Sequence, residues 1–148
     1  MGYKYGIWLV YNQESFNTIH IGHFTICCFM DYLDAINLYD ELKNCYGIHT
    51  TLSVIGNNPV FFPNNMYSND NNNLYSWGYY GTSNIWNLYK KLTDKYTCDF
   101  SNEPHTTIEY SKNKDNLQLK KSYNFNLDCT IHVVDITDDN PYKWYIIL

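Results

Sequence analysis

A chain of 148 residues, 45% hydrophobic and 18% aromatic, is long and apolar enough for one domain with a sizeable core, which excludes a disordered chain. Its ten basic residues are all lysines, and with fifteen acidic residues the formal net charge is −5, which argues against a broad duplex-binding surface and leaves room for a short oligonucleotide in a small pocket. No apolar stretch approaches a membrane span, the first residues lack the charged-then-apolar order of a signal peptide, and five cysteines without a CxxC pair read as reduced intracellular thiols.

Residues 3–11 and 19–29 are predicted strands, rich in β-branched and aromatic side chains, with a loop at 12–18 between them. Asp31 is placed to cap a helix over about 32–45. Leu33, Ile36, Leu38, Leu42 and Cys45 supply its approximate 3.6 period, and Gly47 stops it. A strand over 48–55 ends at Gly-Asn-Asn-Pro, and the Asn-rich stretch 64–73 reads as a loop. A further strand is expected over 74–80. Gly81-Thr82-Ser83 then opens a helix over about 83–96, with Ile85, Leu88, Tyr89 and Leu92 as its buried stripe. Strands follow at 105–110, 127–136 and 142–148, with a Lys-rich loop over 111–122 and an Asp-Asp-Asn-Pro turn before the last. The order, roughly ββαββαβ then ββ, predicts an α+β sandwich. No glycine-rich phosphate loop follows the first strand, which argues against a dinucleotide fold.

One short phrase recurs along this chain. Residues 23–26 read His-Phe-Thr-Ile and residues 105–108 read His-Thr-Thr-Ile. Strand side chains alternate faces, so His23 and Thr25 point one way, as do His105 and Thr107. Two imidazoles and two hydroxyls lining one groove would suit a phosphodiester. A neutral imidazole takes the proton of a nucleophilic hydroxyl, and a charged one gives a proton to the departing oxygen. The threonines would donate to nonbridging oxygens, where negative charge concentrates in the transition state. Residues 49–52, His-Thr-Thr-Leu, fit the pattern too. Pairing His23 with His105 is preferred, because the two lie about eighty residues apart at comparable distances from a predicted helix, as in a two-lobed domain with a central cleft.

Other side chains are weighed against simpler roles. Tyr11, Trp77, Tyr79, Tyr80 and Trp144 are candidates to stack a base, and each is also an ordinary core residue. Trp77 and Tyr79 share a face and are preferred. Without arginine, phosphate contacts fall to lysine, backbone N–H, hydroxyls or charged histidine. Lys112, Lys114, Lys120 and Lys121 form either a solvated loop or an attractor of anionic substrate, with Tyr123 or Phe125 helping to close it. His20 and His23 have metal-like spacing, but on one continuous strand they would face opposite sides, so no metal site is expected. His132, between Val and Ile neighbours, reads as structural.

The phrases His-Phe-Thr-Ile and Pro-His-Thr-Thr-Ile, so spaced in a domain of this size, resemble the 2H phosphoesterase superfamily, named for its two His-x-Thr/Ser motifs. Element order extends the likeness over nearly the whole chain, while its specificity rests on the two phrases. The resemblance implies a two-lobed fold, with antiparallel sheets around a central cleft and outer helices. It implies acid/base work by His23 and His105, phosphate contacts from Thr25 and Thr107, and no metal or cofactor. The third His-x-Thr and the absence of arginine depart from the expected pattern.

Within the superfamily the chain looks most like viral 2′,5′-phosphodiesterases. These include the C-terminal domain of the rotavirus capping enzyme and the coronavirus accessory phosphodiesterase. Such enzymes degrade 2′,5′-oligoadenylate, the host messenger that activates RNase L. The likeness implies a single domain, residues 1–148, excised from a larger viral protein. It would be monomeric alone and act in the host cytoplasm, away from membranes, or with the virion as part of its parent. Two alternatives stay open: an RNA 2′,3′-cyclic phosphodiesterase or 3′-end processing enzyme of the same superfamily, and a noncatalytic oligonucleotide-binding module.

Overall fold

The computed structural model describes residues 4–12, 18, 20–55, 60–62, 75–111, 124–138 and 140–148. It is α+β, and every strand pairing in it is antiparallel. The strands are β1 (Tyr5–Val10), β2 (His23–Met30), β3 (His49–Ile55), β4 (Val60–Phe62), β5 (Tyr75–Thr82), β6 (Asp99–Phe100), β7 (His105–Ser111), β8 (Asn124–Asp135) and β9 (Tyr145–Ile146). Helix α1 covers Tyr32–Tyr46 and α2 covers Trp86–Thr93. No helix among the described residues is long and apolar enough to cross a membrane.

Local chemistry accounts for the helix limits. The Asp31 side chain accepts from the Asp34 N–H at 2.8 Å and so satisfies a donor that the first turn leaves over. Gly47 ends α1 with φ 84°, a conformation open to glycine at little cost, and its N–H reaches the Lys43 carbonyl. The buried stripe of α1 is Ala35, Leu38 and Leu42, while Leu33 is 70% exposed. The predicted stripe passed over Ala35, whose small side chain lets the helix sit close to the sheet. Helix α2 begins three residues later than expected. Its buried positions are Trp86, Tyr89 and Thr93, and Leu88 lies at the surface. The expected C-terminal strand is instead a 3-10 turn at Pro141–Lys143, capped by Asn140, followed by the two residues of β9. Strands β4 and β6 are too short to carry a periodic signal and were not foreseen.

The sheet runs β4-β5-β3-β8-β1-β2-β6, with β7 on β5 and β9 on β8. One face carries the main core. Ile7, Leu9, Phe24, Ile26, Leu52, Val54, Trp77, Tyr79 and Ile108 meet the buried side chains of both helices there. The opposite face carries a smaller cluster of Trp8, Cys28, Val134, Ile136 and Trp144. Strands β2 and β7 stand at distant places on the pairing path, yet side chains tie them together. Tyr11, just after β1, shares a 2.6 Å hydrogen bond with the Thr106 hydroxyl, and the His20 ring meets the Thr107 carbonyl at 2.7 Å. Gly78 permits β5 to lie close to β7, since a Cβ there would collide with the Thr106 carbonyl oxygen.

Candidate active site

Alternation along β2 and β7 decides which side chains reach the smaller face. Phe24 and Ile26 enter the main core, so His23 and Thr25 point the other way. Thr106 and Ile108 are likewise buried on the core side, which turns His105 and Thr107 to the opposite face. The two imidazoles lie near enough that a charge on His105 disfavours a charge on His23.

Both histidines use the same local anchor. His23 Nδ1 lies 2.7 Å from the carbonyl oxygen of Ile21, and His105 Nδ1 lies 3.3 Å from that of Glu103. In each case the partner is the carbonyl two residues earlier. A carbonyl only accepts, so this contact places the proton on Nδ1 and leaves Nε2 as the basic nitrogen of the neutral ring.

Their environments differ. His23 is 6% exposed, and its pKa falls to about 3, chiefly through burial and then through the neighbouring His20. His105 is half-buried, and burial lowers its pKa too, against the pull of the Glu103 carbonyl and the Glu103 charge. At neutral pH both rings are neutral.

Three further groups belong to this place and were not foreseen in these roles. The indole of Trp8 stacks on His23, with ring centroids 3.5 Å apart and planes 7° from parallel. His20 lies before the start of β2, so the alternation expected to separate it from His23 does not apply. Their rings are 6.1 Å apart, edge to face, which corrects the reading that they face opposite sides. Among the described residues, even so, no three His, Cys, Asp or Glu side chains are grouped to hold a metal. Tyr110 presents its ring to His20, and its hydroxyl bonds Thr107. Burial raises the Tyr110 pKa, so that hydroxyl keeps its proton.

The aromatic expectations need correction. Trp77 and Tyr79 do share a face, but it is the core face. They are 0% and 1% exposed, and Tyr11 is 4% exposed in the same core. Packed on all sides, these rings have no face to offer a base. Tyr80 is different: it is 40% exposed, pairs with His105 across β5 and β7, and places its ring 6.5 Å from that imidazole. Trp144 is buried against Trp8. Lys112, Lys114, Lys120, Lys121 and Tyr123 lie outside the described residues, as does the side chain of Phe125.

The third His-x-Thr phrase is on the same face at a different place. His49 pairs with Thr130, Thr130 with Val10, and Val10 with His23. His49 is therefore three strands from His23, roughly 14 Å at ordinary strand spacing, and it is exposed. His132 lies between them, bonded to the Thr130 hydroxyl at 2.7 Å and to the Leu148 carbonyl at 2.9 Å.

No model of a known protein family matches this sequence, and no curated protein matches it either.

Proposed function

We propose that this protein is a metal-independent phosphodiesterase of the 2H type, and that its substrate is 2′,5′-linked oligoadenylate in the host cytoplasm. The observation that carries this reading is the matched pair of histidines. His23 and His105 come from separate copies of one phrase, sit within electrostatic reach of one another, and are anchored alike through Nδ1. Thr25 and Thr107 lie two residues on, at the same strand parity. The two-lobed form rests on the family resemblance, and the viral character on the Asn- and Tyr-rich composition together with the closeness of the motif phrases.

The unequal environments of the rings support a division of labour. His23, buried and neutral, is the base that takes the proton of the ribose 3′-hydroxyl. That oxygen attacks the neighbouring 2′-phosphate and closes a 2′,3′-cyclic phosphate. The bond to the 5′-oxygen of the next nucleotide breaks, and that oxygen takes a proton from His105. The more open His105 is the better acid, because an arriving phosphate favours its charged form and Glu103 adds to this. The hydroxyls of Thr25 and Thr107 donate to the nonbridging oxygens as their charge grows. Tyr80, exposed beside His105, is the ring available to stack a base.

The test uses 2′,5′- and 3′,5′-linked adenylate trimers, incubated separately with a chelator and resolved by chromatography. The expected result is cleavage of the 2′,5′ trimer to a 2′,3′-cyclic phosphate end. An absolute need for a divalent ion, or an intact 2′,5′ trimer, rejects the proposal. The near-complete burial of His23 favours one competing reading, a noncatalytic oligonucleotide-binding module. Such a module would retain the trimer and leave it whole.

A further inference from the structure

The Trp8–His23 stack is closer and flatter than simple core packing requires. At 3.5 Å and 7° the indole covers the imidazole face to face. Aromatic pairs more often settle offset or edge-on, as Tyr5–Tyr32, Tyr46–Tyr89, Trp77–Tyr79 and Trp86–Tyr89 do among the described residues. The indole also packs against a second tryptophan. Trp144 tilts against it at 5.9 Å, and the Trp144 N–H donates to the Asp138 carbonyl at 2.6 Å. The indole N–H of Trp8 is buried and finds no partner among the described residues. A buried donor left unpaired weakens the fold, and a phenylalanine here would avoid that loss. What tryptophan brings instead is a flat surface broad enough to cover an imidazole.

We propose that Trp8 is a positioning residue for His23, a wall that fixes the plane of the imidazole. The Ile21 carbonyl holds one edge of the ring through Nδ1. The indole removes the space into which the ring would otherwise turn about its Cβ–Cγ bond. Together they set the direction of Nε2. His20 and His105 are the titratable groups that face His23 from the preceding segment and from β7. The role of Nε2 as a base rests on the phosphodiesterase reading; the fixing of the ring does not.

The experiment compares the full chain with Trp8→Leu and Trp8→Phe by NMR of ring-labelled histidine, alongside turnover of the 2′,5′ trimer. In the wild type the His23 ring protons should be shifted strongly upfield by the indole above them, with the Nδ1–H tautomer dominant. Trp8→Leu should remove that shift, mix the tautomers and lower kcat roughly 10- to 100-fold with KM nearly unchanged. Trp8→Phe should restore most of the tautomer preference and of kcat. A wild-type His23 ring without the upfield shift overturns the proposal, even if Trp8→Leu does not fold. So does an unchanged tautomer in folded Trp8→Leu, or a folded Trp8→Phe whose tautomers mix as fully as those expected of Trp8→Leu. An inactive wild type with the shifted, single-tautomer ring would reject the phosphodiesterase reading and leave the role of Trp8 standing.

Discussion

The hydroxyls of Tyr11 and Thr106 meet at 2.6 Å although 95 positions separate them in sequence. The next residue of β7, Thr107, is held through its carbonyl by His20. Two consecutive residues of β7 are thus tied to Tyr11, just after β1, and to His20, just before β2, and these ties set the spacing of the two histidine phrases. Tyr11→Phe leaves the Thr106 hydroxyl buried without this partner. The expected loss is about 1–3 kcal/mol in unfolding free energy, measured by urea denaturation. A variant as stable as the wild type would show that the contact does not hold β7 in place.

His20→Phe keeps a buried ring and removes both nitrogens. It breaks the bond to Thr107 and also removes Nδ1, which has no partner among the described residues. The two effects oppose one another, so stability should change by no more than about 1 kcal/mol. Turnover should still fall, on the order of tenfold, because Thr107 and His105 lose their tether to the β2 side. Unchanged kinetics in this variant would remove His20 from the account.

Substitution of the histidines themselves should separate the three phrases. His23→Ala and His105→Ala should each lower kcat/KM by roughly 10²- to 10⁴-fold with circular dichroism unchanged. Thr25→Ala and Thr107→Ala should cost less, roughly 10- to 100-fold, since each removes one donor among several. His49→Ala should retain most activity, as expected for an exposed residue three strands away. A folded but inactive His49 variant beside an active His23 variant would overturn the pairing.

The buried histidines also give stability a direction with pH. The pKa of His23 is depressed in the fold to about 3 from an ordinary value of 6.5. Between those values the unfolded chain binds the extra proton and the folded chain does not. Stability is therefore full above about pH 6.5 and declines as pH falls, by on the order of 1.4 kcal/mol per unit for this one group. His20 and His105, lowered in the same direction, steepen the decline. Urea midpoints should hold between pH 7.5 and about pH 6.5 and then fall toward pH 4, and His23→Phe should make that fall shallower. A slope left unchanged by this substitution would place the effect elsewhere.

Much of the fold was legible because local signals agreed with it. Asp31 and Gly47 bounded α1 in the sequence as they do in the structure, and period-2 patterning located most of the longer strands. The aromatics show where such reasoning stops. Trp77 and Tyr79 share a face by parity, but parity does not say which face lies under the helices. Only the pairing of Tyr80 with His105 shows that the adjacent residue is the one beside the histidine. A strand drawn from residue 19 would set His20 opposite His23 by alternation, but residues 20–22 lie ahead of β2 and do not follow it. The contact between Trp8 and His23 depends on the register of β1 with β2, which shifts between Ile7 and Trp8. No pattern within either strand announces that shift.

The route by which β2 and β7 come together bears on how the proposed site is assembled. Ladders run from β2 through β1, β8, β3 and β5 to β7, so the two histidine phrases hang from opposite ends of that series. The bond between His20 and Thr107 joins segments far apart in sequence, and closing so long a circuit is slow because its entropy is lost before its contacts are gained. A refolding chain should therefore recover its far-ultraviolet signal while still inert, with turnover returning in the last kinetic phase.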